Sequence, residues 1–502
     1  MINDFDSCYR AVQSRDARFD GRFFTAVTST GIYCRPICPA RTPLEANVRF
    51  YARAAAAEAA GFRACRRCHP EQSPEAPEHQ GNSSLVARAL RLIAEGMVDA
   101  EGVGGLARAL EVSERHLHRS FVEEIGVGPL ALARTRRAQT ARLLIDRTSM
   151  PLTNIAAASG FSSLRQFNET MQASFGCNPT ELRRKGASVQ EGAGWLTLRL
   201  HYRPPFDGPA LLDWLARRAI PGVEEVAGET YRRTIVVSGS RGIIELRPIG
   251  ASNIVRLRLQ LEDMTALATA VQRCRHLLDL DSDPDAVNAV LRDDSMLAPL
   301  VAQNPGLRVP GTTDGWELAV RAILGQQVSV AGARALAAAL VRTLGELLSQ
   351  ASGSLTHKFP DPRRLVSVDP ALFGLPRTRA LALQSLAAAV VAGDITLDRG
   401  ADRERTLERL GALRGIGPWT ASYIAMRALG DPNALPASDL GLRRAFEQRG
   451  MNGAPDAITE RAAAWQPWRA YAVHHLWQSL SHTPQKRTDD HVHRPHSDDV
   501  NP

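Results

Sequence analysis

The chain has 502 residues, which at about 150 residues per domain suggests three or four domains. Hydrophobic residues make up 44% and charged residues 23%, an ordinary globular composition that excludes a disordered or fibrous protein. The formal charge of +8 favours a polyanionic partner. Lys185, Lys358 and Lys486 are the only lysines, and none lies in a motif suited to lysine chemistry.

The N-terminal MINDFDSCYR is polar, with no apolar signal core, and no run of eighteen apolar residues occurs. The expectation is a soluble, cytoplasmic protein with no membrane partner. Four of the seven cysteines sit within thirty-five residues, in two chelating pairs, Cys34-x-x-x-Cys38 and Cys65-x-x-Cys68, in the domain expected over 1–76. Such clustering in a reducing compartment points to metal rather than disulfides, and two pairs from two loops suit one tetrahedral Zn2+. In so small a domain the metal is expected to supply much of the folding free energy.

The segments around those pairs, TGIYCRPICPAR and GFRACRRCHP, resemble the N-terminal domain of the Ada family, which removes methyl from methylphosphotriesters in DNA. The match runs from about Asp16 to Pro70. The resemblance implies that Cys34 is the methyl acceptor, used once because the product is a thioether, with DNA contacts at Thr30, Arg41 and Arg63. Pro39 departs from the basic residue that members often carry there. Four thiolates on one Zn2+ carry −2, and methylating one leaves −1. Methylation is therefore expected to weaken repulsion from phosphate and to tighten DNA binding.

Residues 71–84 (EQSPEAPEHQGNSS) read as a linker. Residues 83–186 then repeat one pattern: a short helix, a turn of small residues and a Ser-started helix. Ser113 is the expected N-cap in the first unit and Ser162 or Ser163 in the second, with a long helix from Pro129 to Arg147 between them. The ending FNETMQASFGCNPTELRR resembles AraC-type DNA-binding domains, in which the second helix of each unit enters the major groove. The candidates for base contact are Arg115, His116, His118 and Arg119 on the first unit, and Ser163, Arg165, Gln166 and Asn168 on the second. Cys177 is read as packing rather than chemistry.

After a break near Lys185–Gly194 the pattern becomes period two, in WLTLRLHY, YRRTIVVSG, GIIELRPIG and NIVRLRLQL, with the amphipathic helix LLDWLARRAI between strands. This is a small α+β subdomain over 192–300, followed by a helical domain over 301–482. A disordered tail is expected over 483–502, where His491, His493 and His496, with His482 beside it, read as solvated rather than metal-binding.

The strongest enzymatic signal is LRGIGPWTASYIAMRALGDPNALPASDLGLRR. Gly415 and Gly417 form a hairpin able to approach a phosphate, followed by Trp419, Tyr423 and a Pro-x-x-Asp ending at Asp439. The pattern resembles the helix-hairpin-helix DNA glycosylases of AlkA type, and the resemblance extends from near Trp195 through WQPWRAYAVHHLWQSL. It implies that Asp439 is the catalytic carboxylate, able also to cap the next helix. It further implies that Gln326, Trp419, Tyr423 and Trp477 form the base pocket. Gln327 falls where an apolar wedge is usual. Bifunctional relatives place a Schiff-base lysine just after the hairpin, where this chain has Pro418 and Trp419, so strand cleavage is not expected. No cysteine follows Cys274, so no iron–sulfur cluster can form, and no Pro-Cys-His-Arg motif for O6-methylguanine repair is present.

The expected fold is multidomain and mainly α: a small zinc-bound α/β domain, a double helix-turn-helix domain, a small α+β subdomain and an all-α helix-hairpin-helix glycosylase domain. The expected function is DNA alkylation repair joined to regulation of the adaptive response. A monofunctional 3-methyladenine DNA glycosylase of type II would act beside a methylphosphotriester acceptor. The alternative is a methylation-activated transcription factor whose glycosylase half only binds DNA. Expected partners are damaged and promoter double-stranded DNA, with RNA polymerase a candidate. One Zn2+ is expected, with a monovalent cation at the hairpin a further candidate.

Overall fold

The computed structural model describes residues 4–75, 85–185 and 194–481; His482, His491, His493 and His496 lie outside them. The first unit contains α1 (Phe5–Ser14), β1 (Phe24–Val27), β2 (Ile32–Cys34), β3 (Val48–Tyr51), α2 (Ala54–Ala59) and β4 (Arg63–Ala64). Its four strands are ordered β3-β1-β2-β4, and β2 and β4 pair in parallel, with Tyr33 opposite Ala64. That register carries both strands out at the same end of the sheet, so Cys34 and Cys65 emerge side by side.

Residues 71–75, read from sequence as linker, are built into the fold. Pro70–Gln72 form a 3-10 turn, the Glu71 carboxylate is buried against His69 Nδ1 at 2.7 Å, and the Glu75 carbonyl accepts from Arg203 Nη1 at 2.8 Å. Composition marks the segment polar, but Glu75 finds its partner on a distant part of the chain, which composition cannot reveal.

The helix-turn-helix unit contains α3 (Leu85–Ala94), α4 (Met97–Ala109), α5 (Glu114–Ile125), α6 (Pro129–Arg147), α7 (Leu152–Ala158), α8 (Leu164–Phe175) and α9 (Pro179–Lys185). Ser113 caps α5 by accepting from His116 N at 3.2 Å, and Ser163, rather than Ser162, caps α8 by accepting from Gln166 N at 3.2 Å. Each helix ends where a left-handed glycine releases the chain: Gly126 at φ 84° and Gly176 at φ 68°. The bridging helix α6 matches the expected Pro129–Arg147 span.

The third unit is a five-stranded antiparallel sheet ordered β5-β9-β8-β7-β6, from β5 (Leu196–His201), β6 (Glu224–Ala227), β7 (Thr230–Val237), β8 (Ser240–Ile249) and β9 (Ile254–Leu261). It is accompanied by α10 (Gly208–Arg218) and α11 (Leu267–Leu277). Its inward Leu, Ile and Val residues share one core with Phe24 and Tyr33 of the zinc unit and Leu144 and Phe167 of the helix-turn-helix unit. Arg203, fully buried, fastens this junction. Its guanidinium donates to the carbonyls of Asp20, Glu75, Asp281 and Ser282.

The helical unit runs through α12 (Pro284–Leu291), α13 (Ala298–Gln303), α14 (Gly315–Leu324), α15 (Val330–Leu344), α16 (Pro362–Ser367), α17 (Arg377–Val391), α18 (Arg403–Ala412), α19 (Pro418–Arg427), α20 (Leu440–Glu447), α21 (Pro455–Ala462) and α22 (Arg469–Ser481). Two cores divide it. One gathers α14, α15, α17 and α19, and the other packs α12, α13, α20 and α22 around Trp465. The all-helical expectation is interrupted by the antiparallel hairpin β10 (Glu346–Ser352) and β11 (Leu355–Lys358). Its backbone bonds back to the sheet unit, Thr356 N and His357 N donating to Gly222 O. All seven β10 residues are exposed or half-exposed, Leu347 and Leu348 among them, so no burial alternation announces a strand.

Candidate functional site

The four cysteine sulfurs lie within 4.8 Å of one another. Cys65 and Cys68 are buried, while Cys34 and Cys38 keep partial exposure. Two sulfurs accept backbone N–H bonds, Cys68 Sγ from Arg35 and Cys65 Sγ from Arg67, each at 3.4 Å. The buried Arg35 guanidinium is fixed in turn by an ion pair to Asp20. Thiols this close disfavour one another's ionisation. Their mutual hydrogen bonds draw Cys65 and Cys38 down, Cys38 to about 7, and push Cys34 and Cys68 up. Four sulfurs so placed, with N–H groups bonded to two of them, fit a tetrahedral Zn2+, which would hold all four as thiolates.

Cys34 and Cys38 open onto a cavity of about 800 Å³ whose walls include Thr30, Arg41 and Arg63, the three residues singled out from the sequence. Arg66 and Arg67 line it too, and were missed, although ACRRC advertises them. One wall comes from another unit. Phe175, at the end of α8, faces the cavity, and Arg66 Nη2 donates to its carbonyl at 3.0 Å and to Cys177 Sγ at 3.1 Å. Cys177 is buried, in agreement with a packing role.

On α5, Arg115, His116, His118 and Arg119 are exposed, and Arg119 Nη2 meets His116 Nδ1 at 3.2 Å. On α8, Ser163, Arg165 and Asn168 are exposed and Gln166 is half-buried. Arg165 is held by Glu169 at 2.8 Å, a weak surface pair that a phosphate or base could displace.

The third site is a cavity of about 1410 Å³ lined by Gln326, Gln327, Gly415, Gly417, Trp419, Tyr423, Asp439 and Trp477. Every base-pocket residue expected from sequence therefore meets in one place. Asp439 is the N-cap of α20, its Oδ1 accepting from Leu442 N at 2.9 Å. The same carboxylate accepts from both indoles, Trp477 Nε1 on Oδ1 and Trp419 Nε1 on Oδ2, each at 2.8 Å. Capping and a place in the pocket thus coexist. Trp419 stacks on Tyr423 with centroids 5.4 Å apart, and Trp477 lies tilted 6.2 Å from Tyr423.

Gln326 is tied across the cavity: its amide nitrogen donates to Gly415 O at 2.9 Å and Thr420 Oγ1 at 3.0 Å. Only its carbonyl oxygen stays available to a base. Gln327 is exposed and held at φ 57°, an unusual conformation for a side-chain-bearing residue, with Val328 and Val330 exposed beside it. Gly415 needs both its φ of 93° and its missing side chain, since a Cβ there would lie 2.8 Å from Ala382 Cβ.

Residues 7–71 match the metal binding domain of Ada, 106–185 a helix-turn-helix domain, 197–314 the AlkA N-terminal domain, and 320–470 the HhH-GPD superfamily base excision DNA repair protein. A probable bifunctional transcriptional activator/DNA repair enzyme AlkA of Mycobacterium tuberculosis is 48% identical over 486 residues, 96% of this chain and 98% of that one. The chain belongs to this bifunctional AlkA/Ada-type family. DNA-3-methyladenine glycosylase 2 of Escherichia coli is 35% identical over 290 residues, covering 57% of this chain and 99% of that one. A 3-methyladenine DNA-glycosylase from Archaeoglobus fulgidus, 22% identical, matches with a TM-score of 0.51 over 57% of this chain and 99% of that chain, and shares the fold of the C-terminal half.

In this AlkA/Ada-type chain the sequence reading missed one wall of the base cavity. Trp214 and Arg218 of α10, from the sheet unit, line it. Trp214 stacks on Trp477 at 5.8 Å and 15°. The signal was faint: in LLDWLARRAI the two residues share a helix face at i, i+4, which an ordinary amphipathic helix also provides.

Proposed function

We propose that the protein repairs alkylated DNA by two chemistries and couples one of them to DNA binding. The C-terminal half would act as a monofunctional 3-methyladenine DNA glycosylase of type II. The observation that carries this reading is Asp439, a carboxylate inside an aromatic cavity, held by two indole N–H groups beside a glycine hairpin. In the reaction the C1′–N bond breaks with its electron pair leaving on the base, and positive charge develops on the sugar. The carboxylate stabilises that charge and orients the water that adds to C1′, whose proton passes to the carboxylate or to solvent. A base already cationic leaves more readily, and the indole and phenol faces suit its planar ring.

For the N-terminal unit the proposed acceptor is Cys34. Bound Zn2+ would keep the four sulfurs ionised at neutral pH. The Cys34 sulfur attacks the methyl carbon, an S–C bond forms, and the C–O bond breaks with its pair leaving on the phosphodiester anion. Arg41, Arg63, Arg66 and Arg67 around the cavity supply the charge that draws the DNA backbone in.

The test is one preparation on two substrates. Full-length protein is expected to release 3-methyladenine from duplex DNA and leave an intact abasic strand, with no borohydride-trapped adduct. On methylphosphotriester DNA, mass spectrometry is expected to place one methyl on Cys34. A protein that binds alkylated duplex and leaves its glycosidic bonds whole is a regulator only.

Methylation of Cys34 takes the site from −2 to −1, and affinity for promoter DNA is expected to rise. The gain should shrink as salt is raised from about 0.05 to 0.2 M, because screening removes the repulsion being relieved. Binding titrations that give equal affinity before and after methylation would remove the switch. As an activator the protein is proposed to contact RNA polymerase, and its chromosomal work places it in the cytoplasm; among the described residues no helix is long and apolar enough to cross a membrane. A monovalent cation is proposed at the hairpin, where Gly415 O already accepts from Gln326.

A further inference from the structure

The aromatic box around Asp439 already holds cations of its own. Arg218 lays its guanidinium carbon 3.3 Å from the ring centroid of Trp214, the ring that stacks on Trp477. Arg427 lies 5.6 Å from the centroid of Tyr423 and 5.9 Å from that of Trp214. A third guanidinium, Arg321, reaches the same cavity.

These three arginines are not equivalent. Arg321 is neutralised by Glu224 at 2.9 Å and Glu317 at 2.8 Å. Arg427 directs its donors to Pro310 O, Gly311 O and the Tyr423 hydroxyl. Among the described residues the Arg218 guanidinium donates one hydrogen bond, Nη1 to Trp214 O at 3.3 Å, and no carboxylate pairs with it. Burial draws Arg218 down to about 10, which leaves it charged at neutral pH. Arg218 lines the base cavity, so its wall carries a planar, charged guanidinium supported on the Trp214 ring.

A base entering this cavity meets that charge. A cationic base without a carbonyl is repelled by it and finds the Trp214 face partly taken. A neutral base that turns a carbonyl oxygen toward Arg218 gains a charge-assisted hydrogen bond. We propose that Arg218, supplied by the sheet unit, tunes the base selectivity of the glycosylase: relative to the same cavity without its charge, it raises excision of neutral bases bearing a carbonyl oxygen and lowers excision of cationic bases that lack one. The inference rests on the glycosylase reading above and adds to it the residue that divides its substrates.

The test uses the full-length, zinc-loaded protein in single-turnover excision on two duplexes. One carries hypoxanthine, neutral with a carbonyl, and the other 3-methyladenine, cationic with an amino group. Arg218→Gln is expected to slow hypoxanthine excision about tenfold and to raise 3-methyladenine excision, the scale of one charge-assisted bond. Arg218→Met, equally uncharged, should shift the ratio the same way, and Arg218→Lys should restore it toward the wild-type value. A merely structural role would slow both substrates together and leave the ratio unmoved, even if the variants fold poorly. That result, with wild-type protein active on both, overturns the role of Arg218 alone. Wild-type protein inactive on both overturns the glycosylase reading and this inference with it.

Discussion

Asp439→Asn is expected to lower the rate of base excision by about two or more orders of magnitude, the scale of losing one transition-state electrostatic partner. The carboxylate is held by three N–H donors, from Leu442, Trp419 and Trp477, and by no cation among the described residues. Neutral donors orient the charge without cancelling it, so it remains free to stabilise the cation that develops on the sugar. Asparagine keeps one acceptor oxygen for the α20 cap and one indole, but turns an N–H₂ toward the other. The expected stability loss is about 1–3 kcal/mol, so the variant should still fold. Affinity for damaged duplex should survive, because the hairpin and the arginines are untouched. Single-turnover kinetics with a melting curve separates the two effects, and an unaltered excision rate would remove Asp439 from the chemistry.

The second large effect is expected at Cys65. Cys65→Ala should abolish zinc binding and methyl acceptance and unfold the N-terminal unit, because metal binding in such domains supplies on the order of 10 kcal/mol. Its own apolar cores are small: Cys8, Ala11, Val12 and Phe23 form one cluster, and the rest borrows partners from neighbouring units. Excision should persist at a reduced rate, since Asp439 lies in the helical unit, whose two cores contain no residue of the zinc unit, while α10 of the cavity wall shares a core with Phe24 and Tyr33. Limited proteolysis with a zinc assay reads the first outcome and the glycosylase assay the second. Unchanged proteolysis of wild-type protein in chelator would show that the metal is not what holds this unit.

These two centres were legible in the sequence to different depths. The zinc ligands could be read directly, since two short spacings each bring a pair of sulfurs together whatever the rest of the chain does. The N-caps at Ser113 and Ser163 and the hairpin at Gly415 were legible for the same reason. A cap or a left-handed turn is decided by bonds within a few residues. Asp439 was read both as a helix cap and as the catalytic carboxylate, and its three hydrogen bonds show that it caps α20 while lying among the indoles of the cavity.

By itself, then, the sequence determined the order of units, the ligand set and the elements whose signals are local. Tertiary structure alone decided how distant segments meet. The parallel pairing of β2 with β4 sets Cys34 beside Cys65, and Arg203 draws Asp20, Glu75 and Asp281 into one junction. Likewise α10 carries Trp214 and Arg218 some two hundred residues along the chain to the wall of the base cavity. The physical reason is the range of the forces that leave a mark on sequence. Periodicity, caps and turns arise from neighbours within a few residues. A pocket wall or a buried arginine is chosen by whichever partners the packed chain brings near, and an amphipathic helix looks the same whatever it is packed against.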